Sequence, residues 1–96
     1  MEPDLIKYPK LTIGMSIYNG EKFIQKKLEN ILSQTFQDFE LIISDDSNDE
    51  TPKICKSFVN NDKRIRYVHQ PIKKGWRWNN VFTLNSSKSD YFVWTS

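Results

Sequence analysis

The sequence contains a single cysteine and no long apolar run, and each shortage excludes a class of protein. Cys55 alone can form neither an internal disulfide nor a metal site built from several thiolates. No apolar stretch approaches the roughly 20 residues that a membrane-spanning helix needs, and no signal-peptide-like segment follows the polar residues 1–4. We therefore expect a cytoplasmic protein without a membrane segment, and we leave membrane association open only for a longer, full-length protein.

Neither the net charge nor the single histidine indicates a function. The 14 Lys and Arg residues barely exceed the 12 Asp and Glu residues, so the net charge of +2 is too small to indicate nucleic acid or an anionic membrane surface. The only histidine, His69, has no cysteine or paired acidic residue near it in the sequence, and we assign it no catalytic or metal-binding role. With 96 residues the chain can form one small domain or part of one.

The chain does contain a regular alternation of apolar runs and amphipathic stretches. Residues 1–10 carry two prolines and scattered charge, which is typical of a leader. Apolar runs predict four strands, at residues 11–17, 39–44, 65–69 and 91–95. Helical spacing predicts three helices, which start near residues 21 and 51 and span about residues 76–85. The order βαβαβαβ implies right-handed crossovers, and therefore an α/β, Rossmann-like parallel sheet with helices on both faces.

Local signals predict the helix starts and the inward-facing residues. Thr51 is a suitable N-cap, and Pro52 suits the first helical position, where its missing N–H costs nothing. In the third strand one face is less apolar than the other, which predicts a position nearer the sheet edge. We also expect Trp76 and Trp78 to be packing residues. Each of the first two helices is predicted to bury one face, formed by Phe23, Ile24, Lys27, Leu28, Ile31 and Leu32 in the first and by Ile54, Cys55, Phe58 and Val59 in the second.

The second strand runs directly into two carboxylates, Asp45 and Asp46, in a polar turn that opens a helix. In an open parallel sheet, ligands bind beyond the carboxyl ends of the strands, so this turn supplies hydrogen-bond acceptors where a nucleotide would lie. The alternative is a solvated turn and helix start, which Asp, Ser and Asn favour without any ligand.

Three blocks of residues, in order along the chain, carry a family resemblance. They are residues 16–20 (SIYNG), residues 31–41 (ILSQTFQDFEL) and residues 45–51 (DDSNDET). Together they resemble the opening strand, the helix-to-strand passage and the nucleotide turn of the family 2 glycosyltransferases. The resemblance implies that residues 11–96 form the N-terminal, nucleotide-sugar-binding half of a GT-A fold. We expect this half to be truncated before that family's Asp-x-Asp motif.

The resemblance implies roles for several side chains at the nucleoside. Tyr18 stands where the family places a residue against the base, and Ser16 stands where a small residue contacts the nucleoside. Asp46 matches the aspartate that accepts a hydrogen bond from the base, a sensible pairing because an ionised carboxylate only accepts and an imide N–H donates. Since successive strand residues face opposite sides, we expect Asp45 to brace the turn instead. The alternative for Tyr18 is an ordinary half-buried aromatic at a strand end.

A second candidate region is the stretch 73–80, where the family has a glycine-containing loop that opens a helix beside the diphosphate. Cations and helix N–H groups suit phosphate, and the resemblance therefore assigns Lys74 and Arg77 to the diphosphate. The alternative is a solvated basic face that includes Lys73. The match is weaker than in the first three blocks because the family's Asn-rich segment is shortened here.

The implied activity is transfer of a sugar, with inversion, from a nucleotide-diphosphate sugar to an acceptor hydroxyl, as in cell-surface polysaccharide biosynthesis. We expect a UDP-sugar donor and a divalent metal, Mg or Mn. Its Asp-x-Asp ligands would follow the last strand and are absent from this chain, so we predict no catalytic and no metal-binding residue here and no turnover by the isolated 96 residues.

Two other functions stay open at this point. One is a non-catalytic nucleotide-binding or interaction module that pairs through an open sheet edge. The other, which the modest net charge disfavours, is an RNA-contacting α/β domain that uses the basic and aromatic residues of the stretch 73–78.

Overall fold

The computed structural model describes residues 8–95; residues 1–7 of the predicted leader, which spans residues 1–10, and Ser96 lie outside that range. Four strands alternate with three helices, which confirms the predicted order βαβαβαβ. The elements are β1 (Leu11–Ile17), α1 (Ile24–Leu32), β2 (Phe39–Asp45), α2 (Thr51–Asn61), β3 (Ile65–His69), α3 (Trp76–Ser86) and β4 (Tyr91–Thr95).

The four strands form one parallel sheet in the order β3-β2-β1-β4. This order confirms the parallel α/β sheet and the position of β3 at an edge. Both steps from β1 to β2 and from β2 to β3 move in the same direction, so right-handed crossovers place α1 and α2 on one face and α3 on the other. In the register, Ile17 lies beside Asp45, which in turn lies beside His69. The carboxyl ends of these strands therefore meet at one edge.

The core lies between the central strands and the helices α1 and α2. β2 is buried on both faces, which explains its continuous apolar sequence. The side chains that are essentially fully buried include Met15, Ile24, Leu28, Phe39, Leu41, Ile42, Ile43 and Cys55. Because β1 and β2 are held from both sides, their carboxyl ends form a rigid base for the loops that follow them.

The predicted start of α1 and the predicted N-cap of α2 are wrong, although α2 does begin near residue 51 as expected. α1 begins at Ile24 and not at residue 21, because the N–H groups of Phe23 and Ile24 both donate to the carbonyl of Gly20 and close a turn there. This turn leaves the Phe23 side chain 52% exposed, although helical spacing predicts it inside. Thr51 is the first residue of α2 and not its N-cap, since its hydroxyl accepts the Gly20 N–H at 2.8 Å.

α3 packs on the sheet through small and polar residues. Asn79 and Thr83 are its buried residues, and they face the sheet. A Cβ added to Gly14 of β1 would lie 2.5 Å from atoms of Thr83 and Phe92, so glycine is what lets the helix approach the strand. The prediction that Trp76 and Trp78 are packing residues is wrong, because they are 68% and 42% exposed.

Candidate functional site

The turn after β2 is braced by Asp45, as predicted. Asp45 is fully buried; its Oδ1 accepts the N–H of Ser47 at 2.9 Å and its Oδ2 accepts the hydroxyl of Tyr67 at 2.6 Å. Burial, together with the hydrogen bond to the nearby carboxylate, raises the pKa of Tyr67, so the phenol stays protonated and keeps donating. The Asp45 carboxylate therefore ties the turn after β2 to β3 from a fully buried position.

The turn after β1 is fixed to the turn after β2 by reciprocal hydrogen bonds. The N–H of Asn19 donates to the Ser47 hydroxyl at 2.7 Å, and the N–H of Asn48 donates to Asn19 Oδ1 at 2.9 Å. Asn19 has a φ of 53°, a left-handed conformation that asparagine tolerates better than most residues. These bonds hold the adjacent Tyr18 at the surface.

Tyr18 lies beside the loop that precedes α3. Its side chain is 44% exposed, and the Nζ of Lys73 lies 4.1 Å from the centroid of its ring. A cation at this distance is attracted by the ring face. The structure thus brings the predicted base-contacting aromatic and an ammonium group to the same edge.

Asp46 binds the same loop through its carboxylate. Its Oδ2 accepts the backbone N–H of Lys74 at 2.7 Å, the backbone N–H of Gly75 at 3.0 Å and the Nδ2 of Asn79 at 3.0 Å. Burial by itself raises the pKa of Asp46, but these donors outweigh burial and hold the pKa below its ordinary value. Asp46 therefore ties the turn after β2 to the start of α3, a role that sequence reasoning did not assign to it.

Asn79 is a residue of this site that sequence reasoning missed. It is 1% exposed; its Oδ1 accepts the Ser44 hydroxyl at 2.5 Å, and its Nδ2 also donates to the carbonyl of Gly75 at 2.8 Å. The sequence alone does not mark it, because the side of α3 that faces the sheet is known only from the structure. Asn79 and Asp46 together fix where α3 begins.

The ammonium of Lys74 and the guanidinium of Arg77 lie over tryptophan rings. Lys74 Nζ is 5.1 Å from the ring centroid of Trp78, and the Cζ of Arg77 is 5.8 Å from that of Trp76. Only the backbone of Lys74, and not its ammonium, contacts Asp46. Both predicted cations therefore lie at the start of α3, but their charged groups contact the exposed rings of Trp78 and Trp76.

A small cavity opens at the carboxyl ends of β1 and β4. Its volume is about 280 Å³, and Ser16, Trp76, Asn80, Trp94 and Thr95 line it. Trp94 donates its indole N–H to the carbonyl of Asn80 at 3.1 Å, which ties β4 to α3. Of the lining residues only Ser16 is a predicted site residue. Trp94 could not be chosen from sequence, because it reads simply as part of an apolar strand.

The remaining reactive groups do not extend the site. Burial, with Asp45 and Asp49 nearby, raises the pKa of the Cys55 thiol to about 12, so this cysteine is an inert core residue. His69 Nε2 lies 3.1 Å from the carbonyl oxygen of Ser47. Within residues 8–95 no group of three His, Cys, Asp or Glu side chains could hold a metal ion.

The sequence model of the family described as "Glycosyl transferase family 2" matches residues 12–95. Among curated proteins, the chain is 34% identical over 84 residues to the glycosyltransferase GlyG of Streptococcus pneumoniae, covering 86% of this chain and 28% of GlyG. It is 31% identical over 85 residues to a Campylobacter jejuni enzyme, GalNAc(5)-diNAcBac-PP-undecaprenol beta-1,3-glucosyltransferase, again covering 86% and 28%. The chain thus spans less than a third of the length of these relatives.

Solved structures show the same fold. The mannosyltransferase PcManGT from Pyrobaculum calidifontis, in complex with GDP-Man and Mn²⁺, superposes with a TM-score of 0.75 at 23% identity, covering 91% of this chain and 27% of that one. TarS of S. aureus in complex with UDP gives a TM-score of 0.81 at 22% identity, covering 90% and 26%. These likenesses confirm the sheet as that of the GT-A fold. The family model, which matches residues 12–95, shows that the chain belongs to glycosyl transferase family 2.

Proposed function

We propose that this chain binds the nucleotide of a nucleotide-diphosphate sugar at the carboxyl edge of its sheet. The observation that carries the proposal is that Tyr18, Lys73, Asp46 and the start of α3 all meet at this edge, beside the cavity under Ser16. Relatives named as glycosyltransferases, and a TarS structure that holds UDP, support a UDP-sugar as the donor. The parent activity is glycosyl transfer to an acceptor hydroxyl.

The base lies against Tyr18 in this proposal. The half-exposed ring offers a flat face to the base when the Lys73 ammonium, which lies 4.1 Å from the ring centroid, turns toward the diphosphate. Stacking of a base on an aromatic ring contributes about 1–3 kcal/mol. Asp46 accepts the imide N–H of the base through Oδ1, because the three observed donors all use Oδ2 and a carboxylate has about four acceptor positions.

The diphosphate lies toward the start of α3. Lys73 already reaches the Tyr18 ring, and rotation of the exposed Lys74 and Arg77 side chains brings two more cations to the same end of the helix. The cavity lined by Ser16, Trp76 and Asn80 then receives the group next to the diphosphate. Its volume of about 280 Å³ lies just below the usual range for a whole-ligand pocket, so it suits one sugar-sized group.

We further propose that the divalent metal, Mg or Mn, is held by residues outside the described range. The PcManGT complex contains Mn²⁺, and in general such an ion stabilises charge on a leaving diphosphate. In this chain the carboxylates of Asp45 and Asp46 already accept hydrogen bonds from the protein. The chain's own contribution is therefore to bind and orient the donor.

Calorimetric titration with UDP tests this proposal, with Tyr18→Ala as the site variant. We expect binding by the wild-type chain and about tenfold weaker binding by the variant, the loss of one stacking contact. Tyr91→Ala is the matched control, because Tyr91 is also an exposed tyrosine but lies at the amino end of β4. The proposal fails if the wild-type chain does not bind UDP, or if both substitutions weaken binding equally.

A further inference from the structure

The charges of this chain are unevenly distributed along its length. Residues 63–89 contain seven Lys and Arg residues and no Asp or Glu, so the small net charge of the whole chain conceals a strongly basic segment. Arg64 and Arg66 pair with Asp62 and Glu40, and these are the salt bridges within residues 8–95. Lys73, Lys74 and Arg77 take part in neither of them. No salt bridge of the described residues neutralises these three charges, which lie over aromatic rings; the proposed diphosphate and any external anionic surface would share them.

The basic segment contains α3, whose polar residues face the sheet and whose apolar residues are exposed. Its sheet-facing residues are the polar Asn79 and Thr83, whereas Trp78, Val81 and Leu84 are 42%, 48% and 42% exposed. At 100° per residue these three exposed side chains fall within an arc of about 120°. A helix that packs on a sheet normally buries such a stripe, and the described residues leave this one uncovered.

We propose that the outer face of α3, together with the loop before it, docks on an anionic phospholipid surface. This outer face comprises Ile72, Lys73, Lys74, Arg77, Trp78, Val81 and Leu84. Basic residues flank tryptophan and aliphatic side chains in it, which is the pattern of segments that lie in the headgroup layer of a membrane. Among residues 8–95 the structure contains no helix that could span a bilayer.

The ring contacts favour a lipid surface over RNA. Trp78 stacks on Phe82 at 5.5 Å between centroids, and Lys74 Nζ also lies 5.1 Å from the Trp78 centroid. Single-stranded RNA needs free ring faces for base stacking, and these contacts occupy the Trp78 ring. Exposed aliphatic side chains such as Ile72, Val81 and Leu84 add nothing to stacking, but they contribute to insertion between headgroups.

Binding to vesicles of phosphatidylglycerol and phosphatidylcholine, compared with phosphatidylcholine alone, tests the proposal. The three tryptophans of the chain are Trp76, Trp78 and Trp94, all exposed and all close to α3, so their fluorescence reports this region. We expect a blue shift of the emission with the anionic vesicles only, and its loss as salt is raised. Binding equal on both vesicles, or none on either, overturns the proposal.

A double substitution, Val81→Glu with Leu84→Glu, adds two negative charges to the outer face of α3 and avoids the residues assigned to the nucleotide. We expect about thirtyfold weaker partition onto the anionic vesicles. The control is Phe36→Glu, an apolar residue with the same exposure as Val81, 47% against 48%, in the connection between α1 and β2. Circular dichroism establishes that each variant is folded. If a variant does not fold, the salt dependence of vesicle binding by the wild-type chain still tests the proposal.

A 12-nucleotide oligouridine, followed by fluorescence anisotropy, separates the two kinds of partner. The proposal predicts that the oligonucleotide binds more weakly than the anionic vesicles and does not respond to the Val81 and Leu84 substitutions. Tight oligonucleotide binding without vesicle binding would assign the face to RNA instead and would overturn the proposal.

Discussion

At the scale of single residues, Asp46 shows what the sequence can and cannot reveal. Its position at the end of an apolar strand predicts a carboxylate at the carboxyl edge of the sheet, and the structure has it there. Its three hydrogen-bond donors could not be predicted, because Lys74, Gly75 and Asn79 are 28 to 33 residues away and reach it only after β3 and α3 have folded back. The residue type predicts that Asp46 accepts hydrogen bonds, whereas the residues that donate to it depend on how the chain folds.

The depressed pKa of Asp46 makes a prediction about acid stability. Folding favours the ionised carboxylate, so its stabilising effect is complete above the ordinary pKa of 3.8 and is lost as the pH falls through the lower pKa of the folded state. We expect Asp46→Asn to lower the free energy of unfolding by about 1–3 kcal/mol at pH 6, and by less at pH 3. Urea unfolding at the two pH values measures this.

The control for this prediction is Asp38→Asn. Asp38 is exposed in the connection between α1 and β2, and its contact in the structure is through its backbone carbonyl. We expect little change from this substitution at either pH. An Asp46→Asn effect that is the same at pH 6 and pH 3 would show that the ionised carboxylate does not stabilise the fold.

At the scale of elements, the spacing of residues predicted the span of α3 but not which of its sides faces the sheet. The expected span of about residues 76–85 agrees with the observed Trp76–Ser86. Tryptophans are usually buried, so sequence reasoning placed Trp76 and Trp78 inside. The sheet instead offers α3 a glycine at position 14, and small polar side chains fit that close approach where bulky rings do not. The orientation of the helix follows from the strand beneath it.

Gly75 sets the start of α3 through its backbone. Its φ of 89° and ψ of 161° lie in a region that is essentially restricted to glycine, while an added Cβ would have open space around it. We expect Gly75→Ala to lower the free energy of unfolding by about 1–3 kcal/mol through backbone strain alone. Chemical denaturation measures the loss. A synthetic chain with D-alanine at position 75 is the control and should recover most of it; equal loss with both would point to the side chain and not to the backbone.

At the scale of the whole molecule, the fold could be predicted and the site only in part. Alternating strands and helices imply a parallel sheet, and a parallel sheet gathers the loops after its strands at one edge. That reasoning, with the family resemblance, selected Ser16, Tyr18 and Asp46. It missed Asn79, Asn80 and Trp94, because each lies in an ordinary stretch of helix or strand and reaches the site only through long-range packing.

The central claim is that the carboxyl edge of this sheet receives a nucleotide. The most direct test is a titration of the ¹⁵N-labelled chain with UDP, followed by amide chemical shifts. We expect the shifts to concentrate in the turn after β1, the turn after β2 and residues 73–76, and the Trp94 indole N–H to shift with them. Shifts confined to α1 and α2, or no shifts at millimolar UDP, would contradict it.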